Sequence, residues 1–161
     1  MLLKTLCDQA IARFPPLVDA ATGRTLYTYC NAAVDFVCSG MGCDCFRGPG
    51  GPLTADAICR VLERGWVAVD GAQAAELARG GTLCVAALPS AAIRLSPKHA
   101  QARHGHVAAV YPSQSGAWSP SWKKTVPLLA NAGARNGVLP ASQCFPAEPK
   151  YYFRPGGPYA P

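Results

Sequence analysis

Charge is scarce in this chain, and long apolar runs are absent. Only 15% of the 161 residues are charged while half are hydrophobic, a balance that argues against intrinsic disorder. No apolar run is long enough to cross a bilayer, so no membrane span is expected. The segment Leu2-Leu3-Lys4-Thr5-Leu6-Cys7-Asp8 starts apolar, but Asp8, Gln9 and Arg13 interrupt it before the core of a signal peptide forms. The basic residues are scattered, with only Lys123-Lys124 adjacent, and no basic stripe interleaved with aromatics appears. Nucleic acid is therefore not an expected partner, despite a net charge of +6. That charge reads first as ordinary surface decoration, with an anionic polymer or an acidic protein partner as the alternative. No HExxH motif, no second CxxC and no internal repeat is present, and histidine occurs only three times.

Cysteine, by contrast, is plentiful: eight, at positions 7, 30, 38, 43, 45, 59, 84 and 144. Cys38-x4-Cys43-x-Cys45 is not a usual zinc spacing, and no metal or other cofactor is expected. Cys7 and Cys84 sit in apolar segments and read as buried free thiols. One or two disulfides are expected, drawn from Cys38, Cys43, Cys45 and Cys59, with a pairing that sequence does not decide. The 16 glycines and 15 prolines cluster around residues 47–52 and in the last eight residues, which reads as a loop and a flexible tail from about residue 154. A chain of this length forms one domain, spanning residues 1–161.

Hydrophobic spacing predicts helices first and a sheet afterwards. Leu2 to Phe14 is helical until Pro15-Pro16 stops it, and a nearly apolar helix runs from Cys30 to about Cys38, ended by Gly40 and Gly42. Thr54 caps a third helix over 55–64, and residues 71–79 form a short fourth. Leu83–Leu88, Gly105–Tyr111 and Thr125–Ala132 read as strands, with Tyr151–Phe153 as a last edge strand. The fold class is α+β, with N-terminal helices packed on a small antiparallel sheet.

Cys30 and His106 carry the chemistry. A thiol at a helix start gains from the positive end of the helix dipole, which favours the nucleophilic thiolate. A neighbouring imidazole takes up its proton and returns it to a leaving amine. The bland alternative is a structural thiol and a core histidine. His99 follows Pro97-Lys98 in a polar loop and reads as solvated. His104 lies at a strand edge, either exposed or lining the cleft. His106 lies just inside the strand, where packing fixes its rotamer, and is the better base. Asn131, the one polar residue in an apolar stretch on the expected neighbouring strand, is the candidate that orients the imidazole; its alternative is a turn residue before Gly133. Asn136 looks more like a turn residue. The backbone N–H of Cys30 or Asn31 is a candidate oxyanion donor, unless Asn31 serves only to cap the helix. Loops 46–53 and 112–124 are candidate cleft walls, and Trp118 and Trp122 either stack on substrate or pack half-buried. His104 and His106 as a zinc pair lack a third ligand.

Three segments, Cys30-Asn-Ala-Ala-Val-Asp-Phe-Val, then Gly71-Ala-Gln-Ala-Ala-Glu-Leu-Ala-Arg-Gly-Gly-Thr-Leu-Cys-Val-Ala-Ala-Leu88, then Gly105-His-Val-Ala-Ala-Val110, occur in that order. Over residues 26–132 the chain resembles the papain-like peptidoglycan amidases of the NlpC and CHAP type, and within them the small amidase effectors of type VI secretion. The resemblance implies a papain-like fold, Cys30 as nucleophile and His106 as base, with the third position variable. It implies cleavage of an amide in peptidoglycan stem peptides, most often between D-Glu and diaminopimelate. It also implies export without a cleaved signal, action in the periplasm or cell wall where disulfides form, and an immunity protein that plugs the cleft. The Cys38/Cys43/Cys45 cluster, the Gly/Pro loop and Arg135–Phe145 depart from it and have no role in it. Two rivals stand beside this reading: a non-catalytic cell-wall or partner-binding module with a degenerate cleft, and a thiol peptidase or acyltransferase on another substrate.

Overall fold

The computed structural model describes residues 1–96, 99–101 and 103–155. Along the chain, helix α1 (Leu2–Arg13) leads into a ribbon of β1 (Leu17–Val18) and β2 (Thr25–Tyr27), then α2 (Cys30–Gly40). A second ribbon, β3 (Arg47–Gly48) with β4 (Gly51–Pro52), precedes α3 (Ala55–Gly65), β5 (Val67–Val69), α4 (Gly71–Arg79) and β6 (Cys84–Leu88). The short strands β7 (Arg94–Ser96) and β8 (His99–Gln101) pair, and β9 (His106–Val110) follows. The chain then forms β10 (Ala117–Ser119), β11 (Lys124–Val126), β12 (Leu128–Ala132), β13 (Asn136–Pro140), α5 (Ala141–Cys144) and β14 (Lys150–Phe153). The main sheet has six strands in the order β13-β12-β9-β6-β14-β5, and every adjacent pair is antiparallel. Helices and an antiparallel sheet make this an α+β protein.

The helix ends follow local chemistry. Thr54 Oγ1 accepts the N–H of Ala57 at 3.2 Å and starts α3. Asp70 and Gln73 exchange side-chain and backbone hydrogen bonds in a capping box at the start of α4. At the end of α2, Gly42 takes φ +82°, its N–H bonds Ser39 O at 2.9 Å, and the N–H of Cys43 bonds Cys38 O at 3.0 Å. This is a Schellman closure, which glycine permits at no steric cost. It turns the chain back over the last turns of α2.

The strands at the centre are buried on both faces. Every residue of β6 is buried, as is β9 beyond His106, which is why both read as continuous apolar runs rather than alternating ones. Helix α2 packs on β9 and against α1, and α3 packs on β9, β6 and β5. Asp35, buried inside α2, is bound by Arg47 Nη2 at 2.5 Å and Nε at 3.2 Å, which ties the β3–β4 ribbon to the helix. Asn136 Nδ2 donates to Ile11 O at 2.8 Å and anchors the end of α1 to β13.

Three expected elements change. The strand expected over 125–132 is two strands, because Pro127 has no N–H to continue a ladder: β11 pairs with β10, and β12 joins the main sheet. Tyr151–Phe153 is an interior strand, held between β6 and β5, and the edge is β5, a three-residue strand too short to announce itself by periodicity. Asn136 begins β13 opposite Ala132 rather than turning; the turn is Gly133-Ala-Arg135. Of the tail expected to be flexible from about residue 154, Arg154 is bound to Cys43, and residues 156–161 lie outside those described. No helix among the described residues is long and apolar enough to cross a membrane.

Candidate active site

Cys30 is the first residue of α2, reached through the β2 segment, and it lines a cleft of about 360 Å³. The walls are Thr25 to Thr28, Asn31, Thr54 and Ala55 at the start of α3, and His104-Gly105 before β9. The walls expected at 46–53 and 112–124 are not these. The polar approach segment before Cys30 forms one side, because β2 is pinned by pairing with β1. Gly105 fits here for lack of a side chain: a Cβ on it would lie 2.8 Å from Asp56 Oδ1 and 3.0 Å from Leu88 O. Asp56 Oδ1 is in turn held by the N–H of Ser90 at 2.8 Å.

His106 opens β9, and Asn131 lies on β12, the strand beside it. The ladder pairs Leu129 with Val110, and alternation puts Val110 and His106 on one face with Leu129 and Asn131. His106 Nε2 meets Asn131 Oδ1 at 2.7 Å. Asn131 Nδ2 donates to Arg135 O at 2.5 Å, across the β12–β13 turn. The amide is thus held at both ends, and its orientation follows: nitrogen to the carbonyl, oxygen to the imidazole. An amide oxygen only accepts, so Nε2 carries the proton and Nδ1 keeps the lone pair. Asn131 is 2% exposed, so no water competes for it. The Phe145 ring packs on the imidazole, with centroids 4.8 Å apart, and closes off one side of it. Sequence reasoning left Phe145 without a role; its only signal was a lone aromatic after the short run Ala-Ser-Gln-Cys.

Cys30 meets β9 through the backbone of Val107, the residue after His106. The N–H groups of Val107, Asn31 and Cys30 itself face the Cys30 sulfur and favour its thiolate. Burial outweighs them: Cys30 is 7% exposed, and desolvation holds its thiol above the usual range. Burial thus opposes the thiolate that the helix start favours. Burial also pushes His106 below its usual value, with the Asn131 hydrogen bond pulling partly back. Burial thus favours the neutral form of both groups. Among the described residues no hydrogen bond joins Cys30 Sγ to His106.

The remaining candidates divide. His104 is exposed and lines the Cys30 cleft. Asn31 does not cap α2; its Nδ2 donates to Leu53 O at 2.8 Å and ties the helix start to the segment before α3. Trp118 is 64% exposed on β10, neither half-buried nor among the residues lining the cleft, whereas Trp122 is partly buried against the core. His99 opens β8 rather than lying in a loop. The eight cysteines are free thiols; Cys38, Cys43 and Cys45 converge on one another, while Cys59 stands apart in α3. Compared with protein-family models and with curated proteins, the chain matches none.

Proposed function

We propose that this chain is a cysteine hydrolase of papain-like design that cleaves an amide bond in bacterial peptidoglycan stem peptides. The observation that carries the reading is the His106–Asn131 bond, locked from behind by Arg135 O, in the same structure as a cleft lined by the Cys30 thiol at a helix start. An acceptor on Nε2 keeps the proton there and leaves Nδ1 as the nitrogen free to act as base. The bond to peptidoglycan, and action in the cell wall after export without a cleaved signal, rest on the resemblance of the three ordered segments; the +6 charge suits stem peptides with free carboxylates. An immunity protein that fills the cleft belongs to the same reading.

Chemistry then runs from a neutral pair. His106 Nδ1 takes the Cys30 proton as sulfur attacks the scissile carbonyl, and the oxyanion faces the N–H groups at the start of α2. The imidazolium, stabilised by Asn131 Oδ1, gives its proton to the departing amine and leaves a thioester on Cys30. Water, deprotonated by His106, releases the acid and restores the thiol. The substrate has to draw the two side chains together, since no hydrogen bond joins them in the free protein.

That same missing hydrogen bond favours the rival reading, a binding module with a degenerate cleft. Mass analysis of sacculi digested by wild type and by Cys30→Ala separates the two. New amine termini released by wild type alone support the hydrolase. Binding to sacculi without release refutes it, and cleavage of other amides only moves the substrate elsewhere.

A further inference from the structure

We propose that Cys38, Cys43 and Cys45 form a binding site for one soft, closed-shell metal cation, zinc(II) or copper(I), held by three thiolates. The three Sγ atoms lie within 4.8 Å of one another, with Cys43–Cys45 at 3.2 Å and Cys38–Cys45 at 3.9 Å. A metal with ~2.3 Å bonds to sulfur places tetrahedral ligands ~3.8 Å apart, so small side-chain rotations fit all three. The spacing Cys38-x4-Cys43-x-Cys45 looked unsuited to a metal because a linear motif does not show the Schellman closure at Gly42. That closure bonds Cys43 N to Cys38 O and carries Cys43 and Cys45 back over the helix end.

Two further groups suit thiolates rather than a disulfide. Arg154 Nη1 donates to Cys43 Sγ at 3.0 Å, and the Trp66 side chain lies beside Cys45. Such N–H to sulfur bonds are what ligating thiolates receive from their surroundings. Three thiolates around a dication leave one negative charge, which the guanidinium offsets. A disulfide would use two of the three sulfurs and strand the third. On binding, each thiol releases its proton to solvent as its sulfur–metal bond forms. The bound ion would pin the chain after α2 to the helix whose first residue is Cys30. The site itself does not depend on what Cys30 does.

The full chain, reduced with a phosphine and kept anaerobic, is titrated with cadmium(II) while thiolate-to-metal charge-transfer absorbance is followed. Zinc(II) and copper(I) are then competed against chromophoric chelators to identify the preferred ion. One equivalent should bind with an intensity corresponding to three thiolates. Cys38→Ser and Cys45→Ser should each weaken binding at least tenfold, whereas Cys144→Ser and Cys30→Ala should leave it within twofold. Uptake well below one equivalent by folded wild type overturns the proposal. So does uptake unaffected by Cys38→Ser and Cys45→Ser, or a Cys43–Cys45 disulfide as the only modification the trio supports.

Discussion

Replacing Asn131 tests the candidate site most directly, because two substitutions push His106 in opposite directions. Asn131→Ala removes the acceptor 2.7 Å from Nε2 in a place that is 2% exposed, so no bulk water takes its place. A buried donor left unpaired costs about 1–3 kcal/mol. If that stabilisation is needed at the transition state, kcat/KM falls about 5- to 150-fold, at 1.36 kcal/mol per decade. The Asn131 bond also raises the pKa of His106 against a larger desolvation effect, so its loss lowers that pKa further. The acid limb of the pH–rate profile, which burial should hold below the ordinary histidine value of 6.5 in wild type, should move to lower pH in Asn131→Ala. Asn131→Asp does the reverse: a carboxylate favours imidazolium, and the acid limb moves up. That variant also sets a carboxylate oxygen against Arg135 O and is the less stable of the two. The assay is release of new amine from purified sacculi between pH 4 and 9, with thermal melts to confirm folding. Folded variants with rates within twofold of wild type and an unmoved acid limb would refute the orienting role.

Three further outcomes are expected. Phe145→Leu opens one side of the imidazole, relieves the desolvation that depresses His106 and moves the acid limb up toward 6.5, read in the same profile. Gly105→Ala drives a methyl group to 2.8 Å from Asp56 Oδ1 and 3.0 Å from Leu88 O, forcing α3 and β9 apart; a melt should show ~1–3 kcal/mol of destabilisation, with loss of activity exceeding the unfolded fraction. Arg47→Met leaves the Asp35 carboxylate buried without its partner, for ~1–3 kcal/mol in chemical denaturation, and an unchanged midpoint would show the pair to be idle.

Some of this protein is written in short stretches of chain. Pro15-Pro16, Thr54 and the glycines after α2 mark helix ends, because capping and the lack of an N–H or a Cβ act within a few residues. The apolar runs at 84–88 and 106–110 announce central strands, because both faces of those strands are covered. Asn131 was legible as a lone polar residue in an apolar stretch expected to form the strand beside that of His106; β12 does lie beside β9, although the β10–β11 ribbon intervenes in the chain. Other features depend on contacts between distant residues. Tyr151–Phe153 looks like an edge until β5 pairs with it, and three residues carry no period. The pKa directions of Cys30 and His106 depend on burial, which no spacing reports: the helix start favours a thiolate, and desolvation opposes it. Phe145 reaches His106 across 39 positions of sequence only because β12, β13 and α5 fold back on the sheet. The Cys38, Cys43 and Cys45 sulfurs likewise converge through a turn and the packing of Trp66 and Arg154, not through any ligand spacing in the chain. Local backbone chemistry is thus readable from sequence, whereas solvent exclusion and the meeting of side chains are properties of the packed molecule.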